Sequence, residues 1–73
     1  MSEEDHLAQA DRHIAEGERR VLEQEERLRS ARAAGAAPEE GEKLLANFKS
    51  TLEEMHVHRR LIVEAIERER SPS

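Results

Sequence analysis

A chain of 73 residues with a net charge of -5 and no cysteine makes at most one small domain, without disulfide bonds to stabilise it. Charged residues form 40% of the chain and aromatic residues 1%, a composition typical of disordered segments and of long exposed helices. The acidic balance argues against general attraction to nucleic acid, and no apolar run approaches the roughly 20 residues of a membrane span. We therefore expect a cytoplasmic protein stabilised by regular helix packing, by oligomerisation or by a metal.

The first predicted element is a long helix with a repeat of seven residues. Positions a and d of each heptad form the seam that packs against a partner helix. The a positions hold large aliphatic residues and the d positions hold small or polar ones: Leu7, Ile14, Val21 and Leu28 against Ala10, Gly17, Gln24 and Ala31. A capping box of Ser2 with Asp5 and a C-terminal Gly35 place this helix at about 3–34, followed by a turn at 35–37.

The second predicted element is a helix at about 38–69 with a bulkier seam. Pro38 suits the first helical turn, where its missing N–H costs nothing. The seam positions are nearly all large and apolar: Leu45, Phe48, Leu52, Met55, Arg59, Ile62 and Ile66. A polar flexible tail is expected at 70–73. The sequence thus predicts an all-α fold, one antiparallel two-helix hairpin of coiled-coil type over residues 1–73, because the short turn forces the helices to fold back.

Charge complementarity selects a register for the two helices. The alignment of Leu28 with Phe48 and of Val21 with Met55 brings three oppositely charged pairs together. These pairs are Glu25 with Lys49, Glu18 with His56, and Arg32 with Glu42.

In the same register Arg59 lies opposite Gly17, which has no side chain to obstruct it. The arginine head would then reach Glu16 or Glu18 and form a polar layer that fixes the register, which we prefer to a ligand site.

The apolar face of the second helix is wider than the first helix can cover, because a further strip runs beside the seam. This strip carries no formal charge and comprises Leu44, Thr51, His58 and Ala65, with Leu61 beside it. Packing of two such strips would make a homodimer, a four-helix bundle. A helix of another protein is the alternative occupant, and an uncovered monomeric hairpin is the third possibility.

Few residues offer chemistry. Glu53 and His56 have the Glu-x-x-His spacing of di-iron helical bundles, and a hairpin dimer could add Glu18, so a metal-binding bundle is one alternative. A small RNA-binding hairpin dimer is another, although basic residues are interleaved with acids. No nucleophile stands beside a base and no phosphate-binding loop appears, so we expect no enzyme and no cofactor.

The segments His13–Arg20 and Leu44–Arg60 resemble a group of short bacterial helical-hairpin proteins with no assigned activity. The resemblance extends over most of both helices and implies the hairpin fold, but it carries no function onto any residue. From the sequence we therefore expect a non-catalytic helical interaction module that self-associates through the second helix and acts as a small adaptor or regulator of another protein.

Overall fold

The computed structural model describes residues 2–70, which form two α-helices and no strand. Helix α1 spans Glu3–Ala33 and helix α2 spans Glu39–Arg70. The helices pack against each other in a rod with extents of 60 × 16 × 15 Å. They run antiparallel, because Arg32 pairs with Glu42 beside the bend and Glu4 pairs with Arg70 at the far end. The predicted all-α hairpin is therefore confirmed for the described residues.

Helix α1 begins and ends with the caps expected from its sequence. The hydroxyl of Ser2 accepts a hydrogen bond from the backbone N–H of Asp5 at 3.2 Å, and the Asp5 carboxylate accepts one from the N–H of Ser2. At the other end Gly35 has a φ of 80°, a left-handed conformation that L-residues with a side chain rarely adopt. The N–H of Ala36 donates to the carbonyl of Ala31 at 2.9 Å, which completes a Schellman termination.

Helix α2 is displaced by one residue from its predicted bounds. Pro38 precedes the helix, and its carbonyl accepts the first helical hydrogen bond from the N–H of Glu42 at 2.8 Å. Arg70, which the sequence analysis assigned to the tail, is the last residue of α2. The remainder of the predicted flexible tail, 71–73, lies outside the described residues.

The seam of α1 forms the core of the hairpin. Six of its eight positions are buried and the other two, Leu7 and Ala31, are half-buried. The apolar side chains of this core are Ala10, Ile14, Val21 and Leu28. The heptad assignment for α1 therefore identifies the side that faces α2.

The seam of α2 also faces its partner, but none of its residues is buried. All seven predicted seam positions of α2, from Leu45 to Ile66, are half-buried. The reason lies in the sizes of the side chains, because α1 contributes small residues that cannot cover the large ones of α2 on both flanks. The hairpin by itself therefore has an incomplete core.

The predicted alignment of the two seams is wrong by one to two helical turns. Gly17 lies against Leu52 and Met55, since a Cβ built on it would be 3.1 Å from Leu52 Cδ1 and 3.2 Å from Met55 Sδ. The prediction placed Arg59 there instead. It also placed Phe48 opposite Leu28, whose Cδ2 atom lies so close to Gly41 that a Cβ there would be 2.7 Å away. The oppositely charged pairs did not determine the alignment, because long charged side chains can reach along the helices and pair in more than one register.

Candidate functional site

Ion pairs between the helices lie along one side of the rod. There are four of them within residues 2–70, and every partner on α1 occupies heptad position e: Glu4–Arg70, Asp11–Arg59, Glu25–Lys49 and Arg32–Glu42. The two nearest the bend, Glu25–Lys49 at 3.8 Å and Arg32–Glu42 at 2.6 Å, were predicted and are confirmed. We call this flank the ion-paired side. Because its side chains are 38–72% exposed, each pair contributes only about 0.2–1 kcal/mol.

Two other charge predictions are wrong. Glu18 and His56 do not approach within ion-pair distance in the described chain. Arg59 does form a polar contact across the seam, but its partner is Asp11 rather than Glu16 or Glu18. The reason is the register, since Arg59 lies nearer the start of α1 than the predicted alignment allowed.

The opposite flank has no ion pair between the helices within residues 2–70, and we call it the open side. Helix α1 contributes the g positions of its heptads, a basic row in which every side chain is exposed: His6, His13, Arg20 and Arg27. Helix α2 contributes the g positions of its own heptads, the strip predicted as an interface: Leu44, Thr51, His58 and Ala65. Neither row contains an acidic residue. The open side is therefore unlike the ion-paired side in both charge and polarity.

The strip residues on the open side differ in their exposure. Leu44 is 41% exposed and Leu61, beside the strip, is 57% exposed, whereas Ala65 is half-buried. Thr51 and His58 are exposed. The sequence analysis assigned this strip to α2 alone and missed the basic row beside it, although that row has the same spacing of seven residues.

A buried glutamine forms the polar layer that the sequence analysis assigned to Arg59. Gln24 is 4% exposed, and its Nε2 donates a hydrogen bond to the carbonyl oxygen of Gly41 at 3.0 Å. Its Oε1 atom is buried without a hydrogen-bond partner. This contact was missed, although a glutamine at a seam position was visible in the heptads. Polar groups of this kind restrict the register of a helix pair.

The residues of the metal hypothesis are not assembled in one hairpin. Glu18, Glu53 and His56 are all exposed, and residues 2–70 contain no group of three His, Asp or Glu side chains placed to hold a metal ion. A second chain would have to complete such a site. The metal-binding bundle stays a prediction, and no contact within the hairpin favours it.

The RNA hypothesis also stays a prediction. Arg20 of the basic row is flanked by Glu16 and Glu23, which lie next to it on the outer edge of α1. Such neighbours weaken the attraction of the row for a phosphate backbone, which requires clustered positive charge.

One carboxyl group at the free end of the rod has a displaced pKa. The pKa of Glu3 is raised by desolvation, and further by a hydrogen bond and charge repulsion with Glu69. This pair joins the start of α1 to the end of α2. It affects the end of the hairpin and suggests no catalysis.

Comparison with protein-family models, with curated proteins and with solved structures gave no match. The resemblance to short bacterial hairpin proteins therefore stays a prediction. Neither helix of residues 2–70 has the length and apolar character needed to cross a membrane. A function for this chain must be argued from its surfaces, above all from the open side.

Proposed function

We propose that the protein is a non-catalytic helical interaction module that self-associates through the open side into a four-helix bundle. One observation carries the proposal: none of the seam residues of α2 is fully buried, while six seam residues of α1 are buried. In the heptad pattern Leu44 lies beside this seam and Leu61 lies beside the strip, both on the open side. A second hairpin would cover both at once.

The energetics support this assignment. Full burial of a leucine side chain contributes about 1.5–3 kcal/mol, and each large apolar group in the seam of α2 has part of that contribution still to gain. A chain of this size has few other apolar contacts on which to rely. Completion of the core by a second chain is the common solution for short helical hairpins.

The ion-paired side is less suitable for association. Its charged side chains already form ion pairs between the helices. A partner that bound there would have to remove water from these ion pairs, which is unfavourable. The open side carries aliphatic groups and offers no such obstacle. The bundle would serve as a small adaptor or regulator that presents its outer faces to another protein.

Sedimentation of a matched pair of double variants tests the self-association. Leu44→Glu with Leu61→Glu adds four charges per dimer to the open side and should convert the assembly to monomers while helicity persists. The control is Leu22→Glu with Val57→Glu, which makes the same change at residues that are 66% and 49% exposed but lie off the open side. The control should sediment like the parent chain.

Two outcomes would contradict the proposal. A parent chain that sediments as a monomer at every concentration would remove self-association altogether. An unchanged oligomer in the Leu44 and Leu61 variant, with a dissociated control, would move the interface away from the open side.

A further inference from the structure

The basic row of α1 has complementary charges beside it on the same helix. Arg20 is exposed and takes part in no ion pair within residues 2–70. Glu16 and Glu23 occupy heptad position c, which adjoins position g on the side away from α2. The open side of one hairpin is thus edged by a basic row and an acidic row that run together along α1.

Such a pair of rows can satisfy itself in a two-fold dimer. In an isologous contact each surface meets a copy of itself, so every pair occurs twice. If two α1 helices run antiparallel about a centre near residue 18, Arg20 of each copy faces Glu16 of the other, and His13 faces Glu23. If the two hairpins instead point the same way, α1 of each copy lies over α2 of the other, and Arg20 no longer faces Glu16.

The level on the rod that pairs these charges, near residue 18 of α1, is also the level of the middle of the apolar seam of α2. Gly17 lies against Leu52 and Met55, so an axis through the rod at this level passes α2 beside those two residues. Helix α2 extends from Glu39 to Arg70, and these residues are near its midpoint. The charge pairs of α1 and the greatest overlap of the two α2 seams therefore require one and the same axis.

We propose that the occupant of the open side is a second copy of this chain, packed about a two-fold axis level with Gly17, with the bends of the two hairpins at opposite ends. Arg20 then pairs with Glu16 of the other copy twice, once on each side of the axis, along the edge where the two α1 helices meet. This arrangement rests on the self-association proposed above and adds to it the orientation and the role of the basic row.

Distances between spin labels test the orientation, because the chain has no cysteine of its own. Lys43, Ser50 and Glu64 share one heptad position on the exposed face of α2, so a single cysteine at each can be labelled without touching the seam. With the axis level with residue 52, the two labels of a dimer are separated along the rod by about 27, 6 and 36 Å in that order.

The outcomes separate the arrangement from the self-association on which it rests. A separation shortest at Ser50 and longer at both other sites is the expected result. Equal separations at all three sites would mean that the bends lie at the same end, which overturns the arrangement but leaves self-association intact. A protein that sediments as a monomer overturns both.

A charge exchange tests the role of the basic row. Arg20→Glu replaces two attractions per dimer with two repulsions and should raise the dimer Kd about tenfold. Arg12→Glu is the matched control, because it changes the net charge equally at an exposed position off the open side and should leave the Kd within about twofold.

The double variant Glu16→Arg with Arg20→Glu restores opposite charges between the copies. It should return the Kd to within about threefold of the parent value. If it binds as weakly as Arg20→Glu alone, or if Arg12→Glu weakens the dimer as much as Arg20→Glu, the pairing of Arg20 with Glu16 is refuted.

Discussion

The two helices of this hairpin are nearly equal in length, yet their seams are covered to very different extents. The seam of α1 is mostly buried, whereas the larger seam of α2 is only half-buried throughout. The difference follows from the volume of the partner, since small residues are easily enclosed by large ones and cannot enclose them in return. In a two-helix protein the more apolar helix can therefore be the less buried one, and its surplus surface is where association is expected.

The largest expected effect comes from truncating one residue in each seam. Leu28→Ala removes a side chain that is 4% exposed and should lower the free energy of unfolding by about 2–4 kcal/mol. Leu52→Ala should cost less at low protein concentration, because Leu52 is only partly buried in a single hairpin. Urea denaturation followed by circular dichroism measures both losses.

The dependence of these two losses on protein concentration tests the comparison further. The gap between the two variants should close as the protein concentration rises, since a second chain then covers Leu52. Equal losses at the lowest concentration would contradict the difference in burial. A gap that never changes would contradict coverage of α2 by another chain.

A smaller effect is expected at Gly17, where α1 has no side chain in its seam. Gly17→Val places a branched side chain against Leu52 and Met55, where even a Cβ is 3.1–3.2 Å from their side-chain atoms, and should cost about 1–3 kcal/mol. Ala15→Val at an exposed position is the control for the helix propensity of valine alone. If the two variants unfold at the same urea concentration, the close approach at Gly17 has no energetic consequence.

Replacement of Gln24, the polar residue in the α1 seam, by leucine is expected to increase stability. Gln24→Leu removes the buried Oε1 atom that has no partner, at the loss of the hydrogen bond to Gly41, and should raise the free energy of unfolding by roughly 1 kcal/mol. Gln24→Ala, which leaves a cavity instead, should lower it. Destabilisation by the leucine would show that the hydrogen bond outweighs the unpaired oxygen.

The smallest effect is expected at the free end, where Glu3 of α1 meets Glu69 of α2. A carboxyl group whose pKa is raised on folding destabilises the folded state as the pH rises through that pKa, because the charged form is disfavoured. Glu3→Gln should therefore raise the Tm slightly at pH 7 and leave it unchanged at pH 3, where the carboxyl is protonated. An equal shift at both pH values would contradict the pKa displacement.

The local features of the fold were predictable because they depend on neighbours in sequence. The capping box at Ser2, the left-handed Gly35 and the seam of α1 each follow from residues a few positions apart. The bounds of α2 differ from expectation by one residue, because Pro38 serves as the N-terminal cap rather than as the first helical residue.

The alignment of the helices was not predictable with the same accuracy. Glu25 and Lys49 were paired correctly although the apolar partners were placed one to two turns away. Flexible charged side chains can pair in either alignment, whereas the close contact between Leu28 and Gly41 is possible only in the observed one. The basic row has a spacing of seven residues and so shares one face of α1, but it was missed because acidic residues are interleaved with it along the chain.

The contact between Glu4 and Arg70 holds residues 4 and 70 together at one tip of a rod 60 Å long, while Gly35 turns the chain at the other. A protein joined ahead of Ser2 and another joined after Arg70 would therefore leave from the same tip. In a dimer with its bends at opposite ends, cargo attached to the two copies would be held apart by about the length of the rod, and the assembly would act as a molecular spacer.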